Sequence, residues 1–227
     1  MYFRENEDYM MKKTLYFIFL LVLFSSCGSN ERVSKEVFEE VNSAMEVKRL
    51  TEAEILQEAM IWGDSISSEA QNQLISNLKK AIEERGVDAA IEFCSVKARP
   101  ILNEVGEKYG INIRRASNRF RNPVDQPTSD EMPILEAYEY NIENGLSADP
   151  NIQKIDQGET YLYTKAIVIP GAFCLSCHGK PETEIGPETL EAIKKIYPND
   201  KATGHKVGDL RGMWSLKIPK KEVVKRM

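Results

Sequence analysis

The sequence predicts an α+β domain on three observations. Apolar stripes at helical spacing fill its first half, strand-like runs appear only after Gly158, and a compact Cys-Leu-Ser-Cys-His cluster lies between two such runs. The elements follow in chain order. Met11-Lys12-Lys13 gives a charged start, and Leu15 to Phe24 is an unbroken apolar run, too short to span a bilayer but the right size for the core of an export signal. Ser25-Ser26-Cys27-Gly28-Ser29-Asn30 places small residues before a cysteine and a polar stretch after it. This reads as a lipoprotein signal over 1–26, with Cys27 becoming the acylated N-terminus; ordinary secretion is the simpler alternative. Residues 1–10 are atypical of a signal, which points to Met11 as the start.

Val37, Val41, Ala44, Met45 and Val47 open a helical stripe that continues through Ile55, Leu56 and Ala59, with 27–50 forming a leader or stalk. A second stripe, Ile66, Ala70, Leu74, Leu78 and Ala81, stops at Gly86. The third helix runs from Asp88 through Ile91, Cys94, Ala98, Leu102 and Val105 to Gly110, with Cys94 on its apolar face. Thr128-Ser129-Asp130-Glu131 reads as a capping box opening a fourth helix, with Ile134, Leu135, Tyr138 and Ile142 inward.

Tyr161 to Ile169 is rich in aromatic and β-branched residues and reads as a strand. Leu210, Gly212, Trp214, Leu216 and Ile218 alternate with Arg211, Met213, Ser215 and Lys217, a second strand with one buried face. Between them a short helix runs from Pro187 to Tyr197. The domain is expected over 51–219, followed by a charged tail, 220–227.

Cys174-Leu175-Ser176-Cys177-His178 is the attachment pattern of a c-type haem. Two thiols on a tight turn can add across the two vinyl groups of one porphyrin, and the adjacent imidazole is carried under the iron as proximal ligand. A redox dithiol also reads C-x-x-C. A zinc site needs a second ligand pair, for which only Cys94 and His205 remain. Covalent attachment outside the cytoplasm agrees with the export signal. With Cys27 taken by lipid and Cys174 and Cys177 by haem, Cys94 is left as a lone exported thiol, either a small apolar filler or a ligand. His205, in a Gly204–Gly208 turn expected to be exposed, is the rival ligand, with Met213 and Met132 as further candidates. Arg114, Arg115, Arg119 and Arg121 fall in a Gly/Asn/Pro-bounded loop. Their guanidinium forks match the two haem propionates, although a solvated charge run explains them too. Tyr161 and Tyr163 could wall the haem or simply fill the core.

Arg114-Arg115-Ala116-Ser117 with Arg121-Asn122-Pro123, then the Cys174–Gly179 motif, then Gly204-x-x-x-Gly208-Asp209-Leu210-Arg211-Gly212 resemble, in that order, a PAS-like c-type haem family long listed as a domain of unknown function. The similarity covers roughly Glu52 to Pro219. It implies a small PAS-like antiparallel sheet with N-terminal helices and a haem-bearing loop. It also implies an iron held by His178 on one side and, on the other, by the cysteine corresponding to Cys94. Family members are often joined to signalling output domains and are thought to sense redox state or small gases; this chain shows no output domain.

The net charge is −5 and stays so without residues 1–26, which carry three basic and three acidic residues. With no basic stripe, nucleic acid is excluded as a partner. No Ser/His/acid set or phosphate loop suggests an enzyme. Two classes remain for an envelope protein facing the periplasm or exterior. One is a haem sensor whose Cys94 ligand yields on reduction or on NO or CO binding. The other is a membrane-tethered single-electron carrier working with a redox partner.

Overall fold

The computed structural model describes residues 34–44 and 49–227. The export signal 1–26, Cys27, the choice of start codon and residues 27–33 and 45–48 of the leader lie outside these residues. Lys35–Ala44 forms helix α1, with Val37, Phe38 and Val41 exposed. It belongs to a unit ending at Arg49, distinct from the unit Leu50–Met227. Among the described residues no helix is long and apolar enough to cross a membrane.

Helix α2, Glu52–Val96, is opened by a capping box that the sequence reading missed. Thr51 Oγ1 accepts from the Glu54 N–H at 3.3 Å, and the Glu54 carboxylate accepts from the Thr51 N–H at 2.7 Å. The stripes read as separate helices therefore run as one from Glu52. At Gly86 the backbone leaves helical geometry (φ 85°, ψ 174°), where the second stripe was expected to stop. The helix expected from Asp88 to Gly110 is broken at Lys97. Pro100 has no N–H to return to the Val96 carbonyl, so α2 ends at Val96 and α3, Ala98–Tyr109, follows after Lys97, closed by left-handed Gly110.

Four antiparallel strands follow: β1 Asn112–Ala116, β2 Asn151–Ile155, β3 Thr160–Val168 and β4 Leu210–Pro219, in the order β1-β4-β3-β2. β3 and β4 match the two expected strands. The edge strands β1 and β2, Asn-Ile-Arg-Arg-Ala and Asn-Ile-Gln-Lys-Ile, are too short and polar to show a strand pattern, so Arg114 and Arg115 stand on a strand rather than in a loop. Helix α4, Met132–Glu143, begins after a turn in which the Thr128 N–H donates to the Glu131 carboxylate at 2.8 Å. Helices α5, Ala172–His178, α6, Pro187–Ile196, and α7, Lys220–Val224, complete the unit.

Both faces of the sheet are covered. Tyr161, Tyr163, Trp214, Leu216 and Ile218 pack with Ile55, Ala59, Trp62 and Ile66 of α2, with Leu102 and Val105 of α3, and with Val223 of α7. On the other face Leu162, Met213 and Ala116 pack with Ile134, Leu135 and Tyr138 of α4. β4 was read with one buried face because Ser215 and Lys217 interrupt its second one. Met213 and Ser215 are nonetheless buried beneath α4. The stretch read as a charged tail forms α7, and its Val223 is fully buried. A third cluster, Ile91, Ile185, Ile193 and Tyr197, joins the last turns of α2 to α6.

At the centre α2 touches β3 so closely that a Cβ on Gly63 would overlap the Tyr163 ring. Gly63→Ala is therefore expected to lower the unfolding free energy by about 1–3 kcal/mol through overpacking, measured by urea unfolding.

Candidate functional site

Because α2 breaks at Gly86, residues on both of its arms face one cavity of about 400 Å³, in the ~300–1,000 Å³ range of small-molecule sites. Its walls are largely apolar, with Leu74, Ile75, Leu78, Phe93, Phe173 and Trp214 among them, and Cys94, Cys174, Cys177 and His178 all line it. The motif is carried on the seven-residue α5 rather than on the expected loop. Gly179 follows it, where a Cβ would meet the Glu184 carboxylate at 2.6 Å and the Leu175 carbonyl at 2.7 Å, so the chain can leave α5 this tightly only through glycine.

Loop 202–205 clasps His178. The Gly204 N–H donates to the Gly179 carbonyl at 2.6 Å and the His205 N–H to the His178 carbonyl at 2.8 Å. His178 Nδ1 lies 2.9 Å from the Ala202 carbonyl. A carbonyl can only accept, so Nδ1 carries the proton and the lone pair is left on Nε2, the tautomer a metal-binding histidine needs. Arg211 Nε, 3.3 Å from the same Nδ1, then acts as an adjacent charge rather than as a donor to it. Burial, helped by Arg211 and Arg121, holds the His178 pKa well below its usual value against the opposing pull of the Ala202 carbonyl. The imidazole is neutral, with Nε2 able to donate electrons.

Burial pushes the Cys94 thiol upward, and Arg115, Arg121 and Arg211 pull the other way. The Cys177 thiol is raised by burial to about 11, and Cys174 is raised by the same cause. All three cysteines are thiols, none in a disulfide.

Only part of the expected arginine cluster reaches the cavity. Arg115 and Arg121 line it; Arg114 and Arg119 do not. Arg114 turns to the α4 face, where it binds the buried Glu131 carboxylate and donates to the Val124 and Gln126 carbonyls at 2.6 and 2.9 Å. Arg119 donates to the Thr203 carbonyl and lies 3.3 Å from His205 Nδ1. Arg121 pairs with Asp200 at 2.9 Å and donates to the Cys177 carbonyl at 2.6 Å. Arg115 faces Asp125 at 3.6 Å, and its buried Nε finds no partner among the described residues. Sequence reasoning missed Arg211, which lines the cavity. Burial, with Arg115 and Arg121 nearby, lowers its pKa to about 9, so it stays charged at neutral pH. The one available signal was its place within the Gly204–Gly212 motif.

His205 is fully buried, not exposed, because the two backbone bonds of the clasp draw its ring inward to 6.3 Å from that of His178. It does not line the cavity, and neither do Met132 and Met213. Tyr161 and Tyr163 belong to the α2–sheet core; the aromatic walls are Trp214, Phe93 and Phe173. An apolar slot with two vicinal thiols, a neutral imidazole, a further thiol and three guanidiniums, one with an unsatisfied N–H, fits the donor set and charge of a haem with two carboxylates.

The family model described as Tll0287-like: Tll0287 matches residues 30–219. The chain belongs to the Tll0287-like family. Its fold is also similar to the crystal structure of the cyanobacterial haem protein Tll0287, with a TM-score of 0.50 and 25% identity over 67% of this chain and 92% of that one. No curated protein matches the chain. The Tll0287-like fold here is the α+β, PAS-like arrangement that the sequence led us to expect, with a small antiparallel sheet.

Arg114→Gln leaves the buried Glu131 carboxylate without its cation and is expected to destabilise the fold by on the order of 3 kcal/mol, read by urea unfolding. Burial lowers the pKa of His205 from 6.5 to about 4, with Arg119, Arg211 and Arg121 assisting and Asp209 opposing. The unfolded chain binds that proton more readily. This contribution to stability is therefore present above pH 6.5 and lost as pH falls through about 4. His205→Gln should flatten that acid limb of the stability–pH curve.

Proposed function

We propose that this chain is an exported c-type haem protein, tethered to a membrane through an acylated Cys27, that senses redox state or a diatomic gas such as NO or CO. The observation that carries the haem reading is the convergence of Cys174, Cys177, His178 and Cys94 on one apolar cavity, with His178 Nδ1 committed to the Ala202 carbonyl. In this reading the Cys174 and Cys177 thiols would be the attachment points, and His178 Nε2 and Cys94 Sγ would hold the iron. A haem supplies a one-electron centre whose iron can exchange an axial ligand. Arg115 and Arg121 would balance its carboxylates, and the same guanidiniums with Arg211 offset part of the burial that raises the Cys94 thiol. Cys94 lies on the arm of α2 between the breaks at Gly86 and Lys97, which supports a ligand able to move when the iron changes state.

Protein made with a haem-ligation system should keep its Soret absorbance after acid-acetone extraction, and the double variant Cys174→Ala, Cys177→Ala should lose it. Cys94→Ser should remove a thiolate-to-iron charge-transfer band and admit CO or imidazole, while His205→Ala leaves the spectrum intact. The reverse result would make the site bis-histidine and move the electron-carrier reading ahead. Cys27→Ala should shift the protein from membrane to soluble fraction.

A further inference from the structure

Strand β4 holds one residue more than its neighbour can pair. Ile167 faces Gly212 and Val168 faces Leu210, which leaves Arg211 in a β-bulge. Regular alternation would send Arg211 to the Met213 side, beneath α4. It instead lines the cavity with Gly212 and Trp214. Re-aiming one side chain into a site is what a bulge accomplishes mechanically.

The displaced residue is fixed at several points. Ser117 Oγ donates to the Arg211 carbonyl at 2.8 Å, and Arg211 Nη1 donates to Ser117 Oγ at 3.2 Å and to the Arg119 carbonyl at 3.1 Å. The next residue is glycine, where a Cβ would meet the Ala116 carbonyl at 2.5 Å, so the end of β1 can close over the bulge. With its outer arm anchored, Arg211 Nε stands 3.3 Å from His178 Nδ1. The connection closes on itself: Arg119 continues from Arg211 to His205 Nδ1 at 3.3 Å, and the His205 N–H returns to the His178 carbonyl at 2.8 Å. An immobile cation thus lies against the edge of the imidazole opposite Nε2.

We propose that Arg211 is a positioning residue for His178, fixing the ring's orientation and, through its charge, raising the reduction potential of the iron that Nε2 binds. The proposal rests on the haem reading above. A fixed positive charge disfavours the more positive ferric state and limits electron donation by the ring.

The test is redox titration and low-spin EPR of the holoprotein. Arg211→Gln should lower the reduced-to-oxidised ratio at a given ambient potential by about tenfold, which is a shift of about 59 mV for a one-electron couple. Arg211→Lys, which keeps the charge, should shift it much less. Ser117→Ala, which keeps the charge and removes the anchor, should broaden the EPR signal as ring orientations spread. A potential unchanged or raised in Arg211→Gln, or an equal shift in Arg211→Lys, overturns the charge role. If Arg211→Gln yields no holoprotein, an unaltered EPR signal in Ser117→Ala overturns the positioning role. Wild-type protein lacking covalent Soret absorbance overturns the haem reading, and this inference with it.

Discussion

Loop 202–205 and the end of α5 are held together by main-chain bonds from Gly204 to Gly179 and from His205 to His178, and the rest of the site takes its geometry from this clasp. The clasp brings the Ala202 carbonyl to His178 Nδ1, which sets the tautomer. It pulls His205 out of water and against Arg119, which in turn reaches the Thr203 carbonyl. Asp200, at the entry to the same loop, holds Arg121 and through it the Cys177 carbonyl. The Ala202 carbonyl therefore sets the tautomer, Arg211 of β4 backs the same edge of the ring, and Arg119 and Arg121, in the segment after β1, lock the backbone.

This construction gathers cations where burial makes charge costly. Arg121 and Asp200 are each only 9% exposed, and removing one partner of such a pair costs about 3–5 kcal/mol. Arg115 is held more loosely by Asp125, and Arg211 is satisfied by neutral acceptors alone. The cavity thus carries more positive charge than its own acids neutralise. Carboxylates or a thiolate would relieve that imbalance, while a second cation would worsen it. Burial first, and this field second, suppresses protonation of both histidines, so the acid lability of the fold and the availability of the His178 lone pair share the same causes.

Where local chemistry decides, the sequence was readable. The spacing of Cys174, Cys177 and His178, the aromatic and β-branched run of β3, the alternation of β4 and the stop at Gly86 depend on neighbours within a few residues. Features imposed from a distance were not readable. β1 and β2 are strands because β4 and β3 pair with them, not because five residues, three of them polar, favour extension. Arg114 leaves the site because Glu131, the residue that caps the start of α4, offers it a partner set by tertiary contact. His205 looks like a loop residue until the clasp buries it, and Arg211 looks like an outward strand residue until the bulge turns it. A one-residue shift in strand pairing reverses which face a side chain occupies, so a bulge invisible in composition inverted the reading of the cation 3.3 Å from His178 Nδ1.

The two cysteine-bearing sides of the cavity are built to different stiffness. On the His178 side, hydrogen bonds, an ion pair and a pinned bulge leave the imidazole little freedom. On the Cys94 side, the arm of α2 after Gly86 is held mainly by apolar packing of Ile91 against Ile185 and Ile193, with one side-chain bond from Thr189 to Asp88 at 2.8 Å. Both ends of that arm are irregular, at Gly86 through its positive φ and at Val96, whose carbonyl receives no N–H from Pro100. Apolar contacts are non-directional and tolerate sliding, whereas the bonds around His178 are lost with small displacements. Were a haem iron held between His178 and Cys94, a change in its affinity for either side would be taken up by the Cys94 arm. Because that arm rests on α6 rather than on the sheet, the displacement would reach the outer surface without disturbing the core.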